Sequence, residues 1–260
     1  MEGGSVRDDH RGRLYGVGVG PGDPELLTRK AVRVIEEADV VFSPKARVKT
    51  ESVARTIVEQ AVGRPVEFRD LVYPMTRDRA VLEAHWSRAA SEILEELDAG
   101  RIAAFITLGD PTLYSTWTYL QRTLRKLRPG IPVEIVPGVS SVNVAAALAE
   151  IPLVIGDERL AVLPLPEDMR ELDPLLDAFD AVVLMKVGGR LPELAAHLGA
   201  RGLARSSTYV SRAGLGERQV VRSIDEVAEE EKGYLALVIV RTGGSEDATG
   251  HGTAGGAEDA

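Results

Sequence analysis

Two copies of the tripeptide Gly-Asp-Pro are the first features of this 260-residue sequence that suggest chemistry. One copy lies in GVGVGPGDP, at residues 22–24, and the other in TLGDPTLYST, at residues 109–111. Glycine lets a backbone approach another group closely, and aspartate caps a helix or accepts hydrogen bonds from a cationic or hydroxylated ligand. A third stretch, VPGVSS, adds the hydroxyls of Ser140 and Ser141. Three loops of this kind together indicate a small-molecule site.

The glycine-rich stretch GVGVGPGDP does not have the spacing of a dinucleotide-binding loop. That loop needs G-x-G-x-x-G after a strand. Counting from Gly16 puts Pro21 where the third glycine belongs, and counting from Gly18 puts Asp23 there. Proline lacks the N–H donor, and aspartate repels a pyrophosphate. Two interpretations stay open: a turn that needs positive φ and binds nothing, or close approach to a ligand that is not a dinucleotide.

Composition excludes several classes of protein and site. The chain has no cysteine, which excludes disulfides and thiolate chemistry and fits a reducing cytoplasm. Its net charge of −9 argues against broad nucleic-acid binding. We expect neither a signal peptide nor a membrane span, because the apolar runs are far shorter than the roughly 20 residues that a span needs. Outside the tails, His85 and His197 stand alone, so we expect no metal site.

The body of the chain alternates strand-like and helix-like segments, and this alternation predicts an α/β fold. A proline-marked stretch at Ile151 and Pro152 is the predicted domain boundary. The two tails are too poor in apolar side chains to order themselves. The predicted division is a disordered tail at 1–12, an N-terminal α/β domain at 13–150, a C-terminal α/β domain at 151–242 and a disordered tail at 243–260.

The predicted starts of two helices indicate where the loops of the candidate site end. We expect one helix to begin at Asp23 and Pro24, because aspartate caps free N–H groups and proline tolerates the first turn. A second helix is expected to run from Leu113 to Leu124, and a third to occupy 223–231. Ligands of α/β sheets bind at the carboxyl ends of the strands, so the loops that precede the first two helices are the predicted site.

The order and spacing of six motifs resemble the tetrapyrrole methylases, the S-adenosylmethionine-dependent enzymes of corrin and sirohaem synthesis. The motifs are GVGVGPGDPELLT, ADVVFSPK, TLGDPTLYST, IVPGVSSV, LMKV and GYLALVIV. ADVVFSPK and GDPTLYSTWTYL are most similar to the members that methylate precorrin-2 or cobalt-factor II at C(20), in cobalamin synthesis. The resemblance implies two α/β domains with S-adenosylmethionine in a cleft between them, and a homodimer.

The resemblance also assigns cofactor contacts, by the match of individual residues to the family motifs. Sirohaem-branch members have an acidic residue, a proposed base, just after the ADVVF strand. This chain has Pro44 there, so the catalytic proton acceptor stays unassigned and the methylated position is expected to differ. The expected cofactor contacts are Pro21, Leu108, Gly109, Asp110, Leu113, Ser140, Ser141, Met185, Gly214 and Ala236.

A tetrapyrrole carries many carboxylates, so an acidic protein needs local cations to bind it. Two basic clusters meet this need, in SPKARVK and just after YPM, and a tyrosine and a strand-end lysine add two candidates. Each has an ordinary alternative: a solvated basic loop, a tyrosine packed at a helix start, or a lysine that extends to solvent. The candidate substrate-binding residues are Lys45, Arg47, Lys49, Arg77, Arg79, Tyr114 and Lys186.

Four functions are therefore compared. The motifs favour methylation of precorrin-2 or cobalt-factor II. A second interpretation keeps the family but changes the substrate, to another tetrapyrrole, an RNA or a modified protein histidine. A third, an NAD-linked oxidoreductase, is disfavoured by the glycine spacing. A fourth is a module that binds S-adenosylmethionine without catalysis.

Overall fold

The computed structural model describes residues 12–45, 52–73, 76, 78–227, 233 and 235–243. Contacts divide these residues into two compact units. The first contains the described residues up to Val144 together with Gly214–Glu217. The second contains Ala145–Ala213 and the described residues from Arg218 onward.

The predicted disordered tails fall almost wholly outside the described residues. Of the tail predicted at 1–12, only Gly12 is described. It is buried and donates its N–H to the carbonyl of Leu97 at 3.0 Å, so it already belongs to the first unit. Of the tail predicted at 243–260, only Gly243 is described.

The first unit is built on a parallel sheet. Its described strands are β1 (Arg13–Gly18), β2 (Val40–Lys45), β3 (Phe68–Val72), β4 (Ile102–Thr107) and β5 (Val133–Val136). They pair in the order β3-β2-β4-β1-β5, every pair parallel. Gly18 is level with Thr107, and Val17 with Val136. The loops after β1, β4 and β5 therefore leave the sheet side by side at its carboxyl edge.

Helices cover both faces of this sheet, as the alternation of its apolar residues requires. Leu14 and Phe105 belong to one core with Trp117, whereas Tyr15 and Ile106 belong to the other. Each large apolar side chain that is fully buried contributes ~1.5–3 kcal/mol to stability. The helices are α1 (Arg29–Glu37) and α2 (Val53–Ala61) on the second core, α3 (Arg79–Asp98) and α4 (Trp117–Leu127) on the first, and α5 (Ser141–Leu148), within which the first unit ends.

The second unit is built on a mixed sheet. Its described elements are β6 (Leu160–Pro164), α6 (Asp173–Ala178), β7 (Ala181–Met185), α7 (Leu191–Ala200), β8 (Ser207–Ser211), β9 (Val220–Ser223) and β10 (Ala236–Arg241). The order is β6-β7-β10-β8-β9, and only the pair β6·β7 is parallel among the described strands. Two sheets with alternating helices confirm the predicted α/β fold. In the described part of the chain, no helix has the length and apolar composition needed to cross a bilayer.

The first predicted helix is wrong in its start. Asp23 caps only the short 3-10 helix Pro24–Leu26, by accepting the N–H of Glu25 at 2.9 Å. The α-helix α1 begins five residues later than Pro24 and has its own cap, the hydroxyl of Thr28, which accepts the N–H of Ala31 at 3.1 Å. Two competing caps close together therefore split the predicted helix in two.

Two other predicted helices also differ from the structure. The helix α4 begins at Trp117 and does not include Leu113, because Tyr114 has φ 49°, a left-handed conformation that a right-handed helix excludes. The helix predicted at 223–231 is, in its described part, the 3-10 helix Ile224–Glu226. Residues 228–232 lie outside the described residues.

Candidate functional site

The loops after β1 and β4 are joined to each other through their backbones. Gly20 donates its N–H to the carbonyl of Gly109 at 3.3 Å, and Gly109 donates its N–H to the carbonyl of Gly20 at 2.8 Å. Just before this pair, Val19 donates to the carbonyl of Thr107 at 3.0 Å. The carboxyl edge of the sheet is thus extended beyond the strands by a short antiparallel bridge.

Three glycines in β1 and the loop after it lie directly against other parts of the protein. A Cβ atom on Gly16 would overlap the indole ring of Trp117. One on Gly18 would lie 2.6 Å from the carbonyl oxygen of Gly109, and 2.7 Å from the nitrogen of Gly138. Real Cβ atoms do not approach other atoms this closely, so these positions require glycine for packing. Of the two interpretations left open for this stretch, close approach to a ligand therefore does not apply at Gly16 and Gly18, which lie against other protein atoms.

Gly22 is also required for packing, because a Cβ atom there would lie 2.7 Å from the carbonyl carbon of Gly214. Gly214 has φ 78°, and its own Cβ atom would lie 2.9 Å from the nitrogen of Asp23. The resemblance assigned Gly214 to the second domain, but the structure places it in the first unit, against the first loop. Pro21 lies buried in this loop.

Gly109 differs from these glycines because a Cβ atom there would not clash with protein atoms. It has φ 69°, and the nearest heavy atom to a Cβ atom there is the nitrogen of Ser141, at 4.0 Å. The left-handed backbone explains why the residue is glycine. Gly109, although buried, therefore has room for a side-chain atom that Gly16, Gly18 and Gly22 lack.

Asp110 joins the loop after β4 to the loop after β5. One carboxylate oxygen accepts the N–H of Thr112 at 2.7 Å, and the other accepts the N–H of Gly138 at 3.0 Å. Ser140 caps the start of α5 by accepting the N–H of Val142 at 3.2 Å. A half-buried carboxylate and a helix start therefore lie on either side of Gly138, in loops that Asp110 ties together.

The end of the β4 loop is held by two buried hydroxyls. Thr107 Oγ1 and Ser115 Oγ are 2.8 Å apart, and Ser115 Oγ also accepts the N–H of Trp117 at 3.1 Å. Leu113 is half-buried, whereas the side chain of Tyr114 is exposed. Sequence reasoning missed the hydroxyl pair. The pattern Tyr-Ser-Thr before an apolar helix was a signal only for a capping serine.

Most of the expected cofactor contacts lie together in the first unit, and two lie in the second. Met185 is the last residue of β7, and Ala236 is the first of β10, one position before the partner of Met185. These two residues share one edge of the second sheet. The first unit contains Pro21, Leu108, Gly109, Asp110, Leu113, Ser140, Ser141 and Gly214.

Strained backbone marks the edge of the second sheet that carries Met185. Lys186, which follows β7 and is exposed, has φ 58°. Arg212, which follows β8, has φ 51° and donates its N–H to the carbonyl of Leu235, which has φ 49°. Left-handed conformations of residues other than glycine cost energy and concentrate at functional sites. Sequence reasoning found Lys186 but not Arg212 or Leu235, whose residue types carry no signal for positive φ.

Two of the predicted cations, Lys45 and Arg79, are paired with carboxylates. Lys45 Nζ lies 2.7 Å from Asp70, and only 13% of the lysine side chain is exposed. Arg79 is the first residue of α3, not a loop residue, and pairs with Glu83 at 2.8 Å. The predictions at Arg47, Lys49 and Arg77 lie outside the described residues.

Tyr73, just after β3, is a buried phenol that the sequence prediction did not consider. Among the residues that the structure describes, its hydroxyl has no hydrogen-bond partner. Burial, reinforced by the nearby carboxylate of Glu92, raises the pKa of Tyr73 well above its usual range. The phenol therefore stays protonated at neutral pH and is not a general base.

Comparisons with known proteins agree on one family. Residues 13–228 match the family of tetrapyrrole (corrin/porphyrin) methylases. The chain is similar to the cobalt-precorrin-2 C(20)-methyltransferase of Salmonella typhimurium, with 37% identity over 232 residues that cover 88% of this chain and 96% of that one. It is also similar to the precorrin-2 C(20)-methyltransferase of a Sinorhizobium species, with 35% identity over 237 residues, or 88% and 95% of the two chains.

A solved structure extends the similarity to the fold. The uroporphyrin-III C-methyltransferase of Thermus thermophilus, complexed with S-adenosylhomocysteine, superposes with a TM-score of 0.62 at 28% identity. The superposition covers 88% of this chain and 97% of that one.

Proposed function

This chain belongs to the tetrapyrrole (corrin/porphyrin) methylases, and from that membership we propose that it methylates precorrin-2, or the cobalt complex of precorrin-2, at C(20). Two relatives named for this reaction match it at 35–37% identity over 88% of its length. It is an S-adenosylmethionine-dependent C-methyltransferase of cobalamin biosynthesis. Within the structure, the observation that carries the proposal is the room for a side-chain atom at Gly109, at the carboxyl edge of the first sheet.

The residues of the β4 loop fit S-adenosylmethionine. Gly109 leaves space that protein atoms do not fill, and Asp110 offers a carboxylate to the hydroxyl and cationic groups of such a ligand. Ser140 and Ser141 stand at the start of α5, where backbone N–H groups lack helical partners. When bound, S-adenosylmethionine supplies a methyl group that its sulfonium activates.

The chain's own contribution is to hold the two reactants. Fixing two reacting groups in a productive orientation lowers a barrier by as much as ~7–11 kcal/mol. The hydrogen bonds of Asp110 to Gly138 and Thr112 make the loop rigid for this role. Met185 and Ala236 complete the proposed cofactor contacts, as the family resemblance implies.

The substrate is held by its carboxylates. Each charge-assisted hydrogen bond to a carboxylate contributes ~1.5–3 kcal/mol when it is shielded from water. The proposed donors are Lys45, Arg47, Lys49, Arg77, Arg79, Tyr114 and Lys186. Lys45 and Arg79 exchange Asp70 and Glu83 for substrate carboxylates when they bind. We propose, finally, that the enzyme is cytoplasmic and forms a homodimer. Light scattering on the purified chain tests the dimer.

Two measurements test this function. Titration calorimetry is expected to show one S-adenosylhomocysteine bound per chain and no binding of NADH. Incubation with S-adenosylmethionine labelled at the methyl carbon, in parallel with precorrin-2 and with its cobalt complex, is expected to place the label at C(20) of at least one of them by NMR. Binding without transfer to either substrate supports a non-catalytic module. Label at another carbon supports a different member of the family.

A further inference from the structure

The loop between β4 and α4 is closed by a pair of hydroxyls that water does not reach. Thr107 is 5% exposed and Ser115 is 7% exposed, and their side-chain oxygens are 2.8 Å apart. Thr107 is fixed to β1, because its carbonyl accepts the N–H of Val19 at 3.0 Å. Ser115 is fixed to α4, because its hydroxyl accepts the N–H of Trp117 at 3.1 Å. The pair therefore ties the end of the loop to both the sheet and the helix.

Tyr114, directly before Ser115, has an unfavourable backbone conformation. Its φ of 49° lies in the left-handed region, which destabilises any residue with a Cβ atom and favours glycine. Its side chain is 45% exposed, so burial of the ring offsets little of that cost. The conformation persists only if the neighbouring structure enforces it. The hydroxyl bond of Ser115 is buried and lies next to Tyr114 in the chain, so it is placed to help enforce this conformation.

We infer that Thr107 and Ser115 are positioning residues for the reaction: their hydroxyl pair holds Tyr114 in its left-handed conformation and so fixes the tyrosine ring for contact with the flat face of the tetrapyrrole. This inference rests on the proposed function, because the ring needs a planar substrate to contact. An exposed aromatic ring contributes a large, rigid contact area at a small entropic cost. Glycine would relieve the strain at position 114 but would provide no such contact.

The first half of the same loop is held independently of the hydroxyl pair. Asp110 ties it to Gly138 at 3.0 Å and to Thr112 at 2.7 Å, and neither bond involves Thr107 or Ser115. The bonds that hold Asp110, one of the residues assigned to the cofactor, are therefore separate from the hydroxyl pair assigned to Tyr114. Loss of the hydroxyl pair is expected to impair use of the tetrapyrrole while leaving the affinity for S-adenosylhomocysteine unchanged.

Thr107→Val tests this separation, because valine has the shape of threonine without its hydroxyl. We expect kcat/KM for the substrate that the wild type methylates to fall about tenfold, as the loss of one buried hydrogen bond implies. The Kd of S-adenosylhomocysteine is expected to stay within about twofold. Thr107→Ser keeps the hydroxyl and is expected to retain kcat/KM. Unchanged kcat/KM in Thr107→Val, or an equal loss of S-adenosylhomocysteine affinity, overturns the inference.

Ser207→Ala is the matched control. Ser207 is 1% exposed, and its hydroxyl donates to the carbonyl of Leu203 at 2.7 Å in the second unit. This variant also loses one buried hydrogen bond, so we expect a comparable fall in Tm but wild-type kcat/KM. A similar loss of kcat/KM in Ser207→Ala would assign the effect of Thr107→Val to stability alone.

A double-mutant cycle tests whether the pair acts through Tyr114. Tyr114→Gly is expected to raise Tm, because glycine adopts φ 49° without strain, and to lower kcat/KM. In the Tyr114→Gly background, Thr107→Val is expected to change kcat/KM less than about twofold, since the ring that it positions is gone. Additive losses, or a lower Tm in Tyr114→Gly, overturn the inference. Wild-type enzyme in the same assay reports on the proposed function separately, since that function is wrong if the wild type transfers no methyl group.

Discussion

The tripeptide Gly-Asp-Pro occurs twice in the first unit, and its two copies have different surroundings. In the first copy the glycine is enclosed, since a Cβ atom on Gly22 would lie 2.7 Å from the carbonyl carbon of Gly214. In the second copy the glycine has room for a side-chain atom, since the atom nearest to a Cβ on Gly109 is 4.0 Å away. The same tripeptide after neighbouring strands therefore requires glycine for close packing in one loop, and in the other it leaves room for a side-chain atom.

The two aspartates differ in the same way. Asp23 accepts the N–H of Glu25 at 2.9 Å, within its own turn. Asp110 accepts a local N–H from Thr112 and also reaches the N–H of Gly138 in the next loop, at 3.0 Å. The first aspartate shapes one turn, and the second joins two loops. The composition of a motif at a strand end therefore does not show whether it binds a ligand. The atoms that surround the motif in the folded protein have to be known as well.

The largest effect is expected from Gly18→Ala. Gly18, like Gly22, is a glycine whose Cβ atom would clash with the protein backbone. The new Cβ atom would lie 2.6 Å from the carbonyl oxygen of Gly109 and 2.7 Å from the nitrogen of Gly138, so two backbones must move. We expect a loss of about 3 kcal/mol in the free energy of unfolding. This loss corresponds to a Tm lower by roughly 6–12 °C, measured by circular dichroism. A Tm close to that of the wild type would contradict the packing of the three loops.

Gly109→Ala is expected to act on binding more than on stability. Protein atoms leave space for the methyl group, so the left-handed backbone sets the cost, about 1 kcal/mol, or a Tm lower by roughly 2–4 °C. The affinity for S-adenosylhomocysteine, measured by calorimetry, is expected to fall at least about tenfold. Gly130→Ala is the control, because Gly130 has φ 80° and nothing within 4 Å of its Cβ position. Equal affinities of the two variants would show that the ligand does not contact Gly109.

The paired substitutions Asp110→Ala and Asp23→Ala are expected to have different effects, the first on ligand affinity and the second on stability. Asp110→Ala removes the bond to Gly138 and a proposed cofactor contact, so S-adenosylhomocysteine affinity is expected to fall about tenfold. Asp23→Ala removes a cap and is expected to cost about 1 kcal/mol of stability without a change in affinity. Calorimetry and urea unfolding of both variants measure the difference. The reverse assignment of the two effects would contradict the comparison.

The smallest effect is expected from Gly20→Ala. Gly20 has φ 72°, and its Cβ atom would meet the carbonyl oxygen of Leu26 at 3.5 Å, an ordinary contact. Only backbone strain of about 1 kcal/mol is expected, with affinity for S-adenosylhomocysteine within about twofold of the wild type. Thermal unfolding and calorimetry check both values. A large loss of affinity would place the ligand against the first loop as well.

The elements of the first sheet could be predicted because their signals are local. The continuous apolar run Ile102–Leu108 predicts a strand, and the structure has β4 at Ile102–Thr107. The start of α4 could not be predicted, because it depends on the left-handed conformation of Tyr114 and on a bond between Ser115 and Thr107 in the preceding strand. Such contacts form only after the chain has folded and leave no periodic pattern in the sequence.

The sequence predicts a candidate site made of loops, but it does not predict the contacts among those loops. The loop residues at Gly109, Asp110 and Ser140 lie at one edge of the first sheet, as their positions after parallel strands indicate. What fills the space beside Gly16 could not be predicted, because Trp117 is distant in sequence and its ring is placed by helix packing. For the same reason, the sequence alone left open whether those glycines face a ligand or the protein.

The return of Gly214–Glu217 to the first unit has a consequence for dissection of this protein. A fragment that ends at Val144 would lack the segment that covers Gly22 and Asp23, so no single cut yields an intact first unit. The same dependence applies during synthesis on the ribosome, because the loop after β1 packs against Gly214, which is translated much later. The first half of the chain therefore acquires its final surface only after most of the second half has been translated.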